Sequence, residues 1–151
     1  MPELPDIEVY LQALTARIHG ATLNAARMGN AFFLRTAEPP LAAIMGQQVT
    51  SLQRVGKRLA FEFSNGHWLV MHLMIAGRLQ WQPTPKPLAR RQLAGFDFST
   101  GTLIVTEAGT KRRAWLKVVL DHAGLHEEDP GGIEPLEMSF AAFKTQLEKR
   151  N

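Results

Sequence analysis

The sequence predicts a mainly β, α+β fold: an antiparallel β-sandwich flanked by an N-terminal helix and a C-terminal helix. Three observations predict it. Helical spacing of apolar residues is sustained only near the two ends, at Ile7, Leu11, Leu14 and Ile18 and again at Phe140, Phe143 and Leu147. Between these ends, short apolar runs alternate with turn signals such as Gly56-Lys57, Asn65-Gly66 and Thr100-Gly101. A length of 151 residues, with 45% apolar and 21% charged residues, suits one domain with a core of its own.

Residues 5–19 read as the first helix. Pro5 suits the first turn, where its missing N–H costs nothing, and Gly20 suits the position just past the end. This helix should hold residues 2 and 3 against the rest of the fold. Residues 21–121 read mostly as strands. Segment 31–35 is a short strand candidate, and Glu38-Pro39-Pro40 opens a short helix ending at Gly46. Segments 49–54 and 59–63 flank the Gly56-Lys57 turn. Asn65-Gly66, which tolerates positive φ, leads into a strand over 68–73. Segments 96–98 and 102–106 form another hairpin, and 115–120 is the last strand. Short strands joined by hairpins pack as a sandwich or close as a barrel.

Three loops interrupt this pattern. Segment 83–91 is rich in proline and basic residues and reads as exposed and mobile. Segment 108–113 carries Lys111, Arg112 and Arg113. Segment 122–138 is rich in glycine and acid and reads as a linker. Residues 139–150 then read as a helix capped by Ser139. The expected organisation is a sandwich domain over 1–121 with its leading helix 5–19, a linker over 122–138, and a helix over 139–151. That last helix brings aromatic residues to bury at the end of the chain, so further sequence is expected to follow.

Charge is unevenly spread. The net charge is +3, but between Arg54 and Lys117 eleven basic residues face three acidic ones. A basic middle of this kind fits a polyanionic partner, or equally a solvated cationic surface. There is no cysteine, which removes disulfides and cysteine-ligated zinc within these residues. No secretory signal opens the chain and no apolar run reaches membrane length, which fits a cytoplasmic protein. His122 and His126 with Glu127, Glu128 and Asp129 lack a second pair at ligand spacing and are assigned no metal. No nucleotide fingerprint and no nucleophile elbow occurs.

The first residues carry the chemistry. Once Met1 is removed, the ring nitrogen of Pro2 is a free secondary amine that can form an iminium with a carbonyl-like carbon. Glu3 follows directly and can shuttle the protons such a reaction needs. Alone, a Pro-Glu start reads equally as a frayed lead into a helix.

Several stretches in order weigh against that bland reading. Pro2-Glu3-Leu4-Pro5-Asp6-Ile7-Glu8, then Gly56-Lys57-Arg58-Leu59 between two strands, then the stretch from His72 to Leu79 resemble the formamidopyrimidine-DNA glycosylase / endonuclease VIII family. A basic loop before Ala114-Trp115 and the segment Gly132-Ile133-Glu134-Pro135-Leu136 complete the series. The resemblance spans essentially the whole chain and makes it the N-terminal catalytic domain of such an enzyme. It implies base-excision repair: a bifunctional DNA glycosylase and abasic-site lyase that removes oxidised bases through a Schiff base at the N-terminal proline. Pro2 would attack C1′ of the damaged nucleotide, Glu3 would handle protons at the sugar, and Lys57 would contact phosphate and assist proton transfer.

The resemblance also implies double-stranded DNA as partner, containing oxidised bases or abasic sites, with a monomeric protein in the bacterial cytoplasm on the nucleoid. The helix over 139–151 would begin a helix-two-turns-helix domain. Zinc would belong to the region after it, and no cofactor to this part. The isolated fragment would show little or no excision. Ile75 takes the place of the family's usual methionine wedge, and Met74 that of its usual glycine; either could be the wedge, and both could be core. The second insertion loop usually reads Asp-Pro-Arg-Arg-Phe-Gly. Here it reads Glu107-Ala108-Gly109-Thr110-Lys111-Arg112-Arg113, so Arg112 is the candidate to stack in place of the aromatic ring. His72, Arg90, Arg91 and Lys111 are candidate phosphate contacts, or ordinary surface charge. A damaged-DNA-binding module without lyase activity is the alternative, reached if Met1 is retained and the Pro2 nitrogen stays an amide. A small-molecule enzyme using the terminal proline as a base is a third reading, but it gives no reason for the basic middle.

Overall fold

Two four-stranded antiparallel sheets face each other in the computed structural model, which describes residues 1–149. Helix α1 (Leu4–Ile18) comes first, then β1 (Leu23–Met28), β2 (Val49–Val55), β3 (Arg58–Phe63), β4 (Trp68–His72) and β5 (Gly77–Gln82). There follow β6 (Gln92–Phe98), β7 (Gly101–Glu107), β8 (Trp115–Val119), α2 (His122–Glu127) and α3 (Phe140–Glu148). One sheet has the order β1-β6-β7-β5 and the other β2-β3-β4-β8.

Alternation along the strands explains the layers. Leu59, Phe61 and Phe63 of β3 and Leu69 and Met71 of β4 point into the space between the sheets. There they meet Leu93, Phe96, Leu103 and Val105 of the other sheet. The intervening residues Ala60, Trp68 and Val70 face outward, yet they are buried too, because Leu125 of α2 packs on them. Thus β3 and β4 are covered on both faces, and their near-continuous apolar runs follow from that. Helix α1 lays Ile7, Leu14 and Ile18 into the core and packs against β2 and β3.

The sandwich flanked by terminal helices agrees with the sequence reading, with four local differences. Segment 31–35 is a 3₁₀ turn (Ala31–Phe33), because the Asn30 side chain accepts the Phe32 N–H at 2.9 Å and tightens the chain; Phe33 is buried and Phe32 exposed. The short helix after Pro40 is likewise 3₁₀ (Leu41–Ile44). Strands β1 and β5 are additional to those expected. Segment 122–138 is no plain linker: Asp121 caps Gly124 N–H at 2.9 Å and starts α2, whose Leu125 is 4% exposed. Helix α3 is capped by Ser139 as expected, but Phe140, Phe143 and Leu147 are exposed among the described residues. Residues 150 and 151, which the expected helix included, lie outside the described residues.

If α2 seals the outer face of β3 and β4, Leu125→Ala should cost about 2 kcal/mol or more, the range for a buried leucine. Urea unfolding measures this directly, and a loose linker would show no such loss.

Candidate active site and its basic face

Residue 3 is where the chain turns into α1. Glu3 is the N-cap residue, its own N–H donates to Asp6 Oδ2 at 2.8 Å, and its carbonyl accepts the Ile7 N–H at 3.0 Å. The Glu3 carboxylate takes part in a capping box with Asp6 at the helix start and also reaches outward. It meets Lys57, whose Nζ lies 2.6 Å from Glu3 Oε2. Pro2 is buried beside this pair and lines a small cavity of about 80 Å³ with Met1, Asp6, Tyr10 and Arg78. Lys57 and Glu3 are thus in contact, and Pro2 precedes Glu3 in the chain.

Lys57 reaches Glu3 because of the turn that carries it. Gly56 and Lys57 form the two-residue connection between β2 and β3, and Gly56 has φ +60°. A positive φ at the first central residue is the glycine pattern of a tight hairpin turn. A side chain on Gly56 would also stand 2.8 Å from the Pro130 ring. Arg54, one turn-length back on β2, donates to Glu8 Oε1 at 2.8 Å, to Gly56 O at 3.0 Å and to Glu134 Oε2 at 2.9 Å. Both carboxylates hold the Arg54 proton more firmly than usual, Glu134 most, and Arg54 in turn depresses the Glu134 carboxyl.

His72 ends β4 beside this hairpin, paired in register with Arg58. Its Nδ1 accepts the Met74 N–H at 2.9 Å, so the neutral ring carries its proton on Nε2. Burial first, then the charges of Arg58 and Lys57, lower its pKa and keep the ring neutral. Past His72 the chain makes a tight turn in which Met74 takes φ +54°, a left-handed conformation that favours glycine. Gly77 closes that turn; a Cβ there would stand 2.4 Å from Leu73 O. Ile75 at the turn is 52% exposed, which sets aside the core reading for it, whereas Met74 is half-buried.

Ile75 shares an open cavity of about 360 Å³ with Glu107, Thr110, Lys111 and Arg113. A neighbouring one of about 540 Å³ is lined by Arg90, Arg91, Gly109, Thr110 and Arg112. The two basic loops, distant in sequence, thus meet. Arg112, the candidate stacking group, is half-buried and its guanidinium donates to Arg90 O at 3.2 Å, tying one loop to the other. Among the described residues, Arg78, Arg90, Arg91, Lys111, Arg112 and Arg113 have no carboxylate within ion-pair reach.

Two contributing residues escape a reading of the sequence. Glu107, 2% exposed, accepts the Arg113 and Ala114 N–H groups at 2.9 and 3.1 Å through Oε1 and so shapes the basic loop from below. Its place at the head of the insertion loop was the available signal. Arg78, against the Pro2 cavity, lies within the stretch from His72 to Leu79, but no spacing there marks it.

Residues 1–114 match the family model of the formamidopyrimidine-DNA glycosylase N-terminal domain. The chain is similar to the formamidopyrimidine-DNA glycosylase of Heliobacterium modesticaldum, 31% identical over 163 residues, covering 99% of this chain and 57% of that protein. It is also similar to that of Sodalis glossinidius, 30% identical over 116 residues, covering 77% of this chain and 43% of that protein. The chain spans about half the length of the curated relatives it matches. Its fold is shared with MutM in complex with DNA containing carbocyclic 8-oxo-G, with TM-score 0.71, 24% identity, and coverage of 78% of this chain and 44% of that one. Lactococcus lactis formamidopyrimidine-DNA glycosylase bound non-covalently to DNA containing an AP site gives TM-score 0.71, 22% identity, and 78% and 45% coverage. At these identities the structural likeness shows the fold.

The lowered His72 pKa has a consequence for stability. A histidine whose folded pKa lies below its unfolded value stabilises the fold at neutral pH, and that contribution fades as pH falls below the unfolded value. Urea unfolding at about pH 7.5 and about pH 5.5, on either side of the ordinary imidazole pKa, should therefore show a larger acid loss for the wild type than for His72→Gln.

Proposed function

The chain belongs to the formamidopyrimidine-DNA glycosylase family, and from that premise we propose that the protein excises oxidised bases from double-stranded DNA and then nicks the strand at the same site. The observation that carries this reading is the Glu3–Lys57 contact of 2.6 Å beside Pro2.

With Met1 removed, the Pro2 nitrogen has a lone pair and attacks C1′ of the damaged nucleotide. The N–C1′ bond forms as the glycosidic bond breaks; the base leaves with its electron pair and is protonated by water, and the Pro2 nitrogen gives up its own proton to the Glu3 carboxylate. Opening of the sugar breaks C1′–O4′, and Glu3 delivers the proton to O4′. Because proline is a secondary amine, the resulting iminium is positively charged without an N–H. That charge acidifies C2′; the Glu3 carboxylate, deprotonated again, takes a proton there as the C3′–O bond breaks and the 3′ phosphate leaves with the electron pair, and water then hydrolyses the iminium to release the enzyme. Lys57 steadies phosphate charge and, as a neighbouring cation, disfavours protonation of the amine.

C1′ chemistry in a duplex requires the nucleotide to be turned out of the stack. Ile75, exposed at its turn beside the basic loop, is the side chain suited to fill the gap, as apolar wedges do in kinked DNA. Arg90, Arg91 and Lys111 would meet backbone phosphate and position the duplex without reading its sequence. Neutral His72 would add a hydrogen bond to phosphate from Nε2–H.

Borohydride trapping tests the reading. Full-length protein freed of Met1, its processing verified by intact mass, should form a covalent adduct with duplex bearing an oxidised base or an abasic site, and the adduct should map to Pro2. Lys57→Gln should slow trapping by about tenfold or more. An absent adduct, or one mapping elsewhere, overturns the proposal. Independently, Arg91→Gln and Lys111→Gln should each weaken DNA binding evenly across sequences and reduce the slope of log affinity against log salt by about one. Titrations at several salt concentrations measure both effects.

A further inference from the structure

Arg54 stands out as the one cation among the described residues that holds two carboxylates. Its side chain is 11% exposed, and its acceptors come from three separate pieces of chain. Glu8 belongs to α1, one turn beyond Glu3. Gly56 O belongs to the hairpin tip, next to Lys57. Glu134 belongs to the segment that follows α2 and lays Pro130 against Gly56.

The Lys57–Glu3 contact needs such support. Both partners are substantially exposed, 39% and 51%, so water and salt weaken their attraction and two flexible side chains must be held in one geometry. What fixes their separation is the distance between the start of α1 and the tip of the hairpin. Arg54 spans that distance with a planar fork of donors, each aimed at a different acceptor. We propose that Arg54 is a positioning residue: by bridging Glu8, the Gly56 carbonyl and Glu134, it sets Lys57 and Glu3 against each other and beside Pro2. It touches no reacting atom, and its effect on the reaction passes through Lys57. The kinetic part of this inference rests on the proposed glycosylase and lyase chemistry; the geometric part does not.

Arg54→Lys keeps the charge but cannot donate to all three acceptors in plane. Two measurements decide the matter. In the 151-residue chain, NMR cross-relaxation between the Lys57 and Glu3 side chains should be present in the wild type and lost in Arg54→Lys. An undiminished contact overturns the clamp whatever the protein does to DNA. In the full-length protein, the single-turnover trapping rate at saturating abasic-site duplex should fall about tenfold in Arg54→Lys, as expected for a misplaced catalytic group. In a Lys57→Gln background the same substitution should change the rate by less than about twofold, since the two positions are coupled. Equal losses in both backgrounds would mean Arg54 acts on stability alone and overturn the inference. Glu8→Gln, a milder change that leaves the Glu134 arm, should slow trapping in the same background-dependent way; no loss of rate there also counts against it. If wild-type protein fails to trap, the proposed chemistry falls, while the NMR contact still decides the clamp.

Discussion

Ile7, Leu14 and Ile18 leave water together when α1 settles onto β2 and β3, and where residues 2 and 3 stand follows from that contact. Burying such side chains contributes about 1.5–3 kcal/mol each. The exposed Lys57–Glu3 pair contributes roughly 0–1 kcal/mol. The magnitudes decide the order of causes: apolar packing of the helix brings the carboxylate to the lysine, and the ion pair reports a position set by the core. The chain thereby obtains a chemically exposed pair on a rigid base. Pro5 in the first turn and the Asp6 bond to the Glu3 amide then stiffen the last residues before the terminus.

Two groups of cations stand out. Those that lock the scaffold are paired: Arg27 with Asp97, Arg54 with Glu8 and Glu134, Lys117 with Glu128. Those on the face around Ile75 lack acidic partners among the described residues, and a buried carboxylate, Glu107, is spent on backbone N–H groups instead of on them. Like charges left uncompensated repel, so this face lowers the stability of the free protein slightly and gains most when an anion arrives. The basic excess visible in the composition thus includes a cluster of cations on this face without acidic partners among the described residues.

Much of this was legible in the residues, for reasons that can be named. Helix α1 announces itself by four apolar residues on one stripe between Pro5 and Gly20. The β2–β3 hairpin is marked by a glycine that must take positive φ. Strand β1 is not marked: Leu23-Asn24-Ala25-Ala26-Arg27-Met28 has no β-branched or aromatic residue, and it is a strand because β6 pairs with it and Asp97 holds Arg27. Strand β5 alternates Leu79 and Trp81 with polar residues, a signal masked by the motif that overlaps it. Helix α2 depends on one buried leucine and one aspartate cap within a stretch whose composition reads as loop. The tie from Arg112 to the Arg90 carbonyl joins loops 22 residues apart and leaves no trace in local sequence. The resemblance singled out Pro2, Glu3 and Lys57, and the Glu3–Lys57 contact is visible only in the folded chain.

The hydrogen bond from the Met74 amide to the His72 ring reaches beyond local geometry. It commits one nitrogen to accepting, so the other can only give, and the side chain meets an anion as an uncharged donor. An uncharged donor displaces no counterion from a nucleic acid backbone. Under the proposed function, a phosphate contact from His72 is therefore insensitive to ionic strength, unlike those proposed for Lys111 and Arg91. On that proposal, one directional contact would outlast concentrated salt after the electrostatic attraction has been screened away.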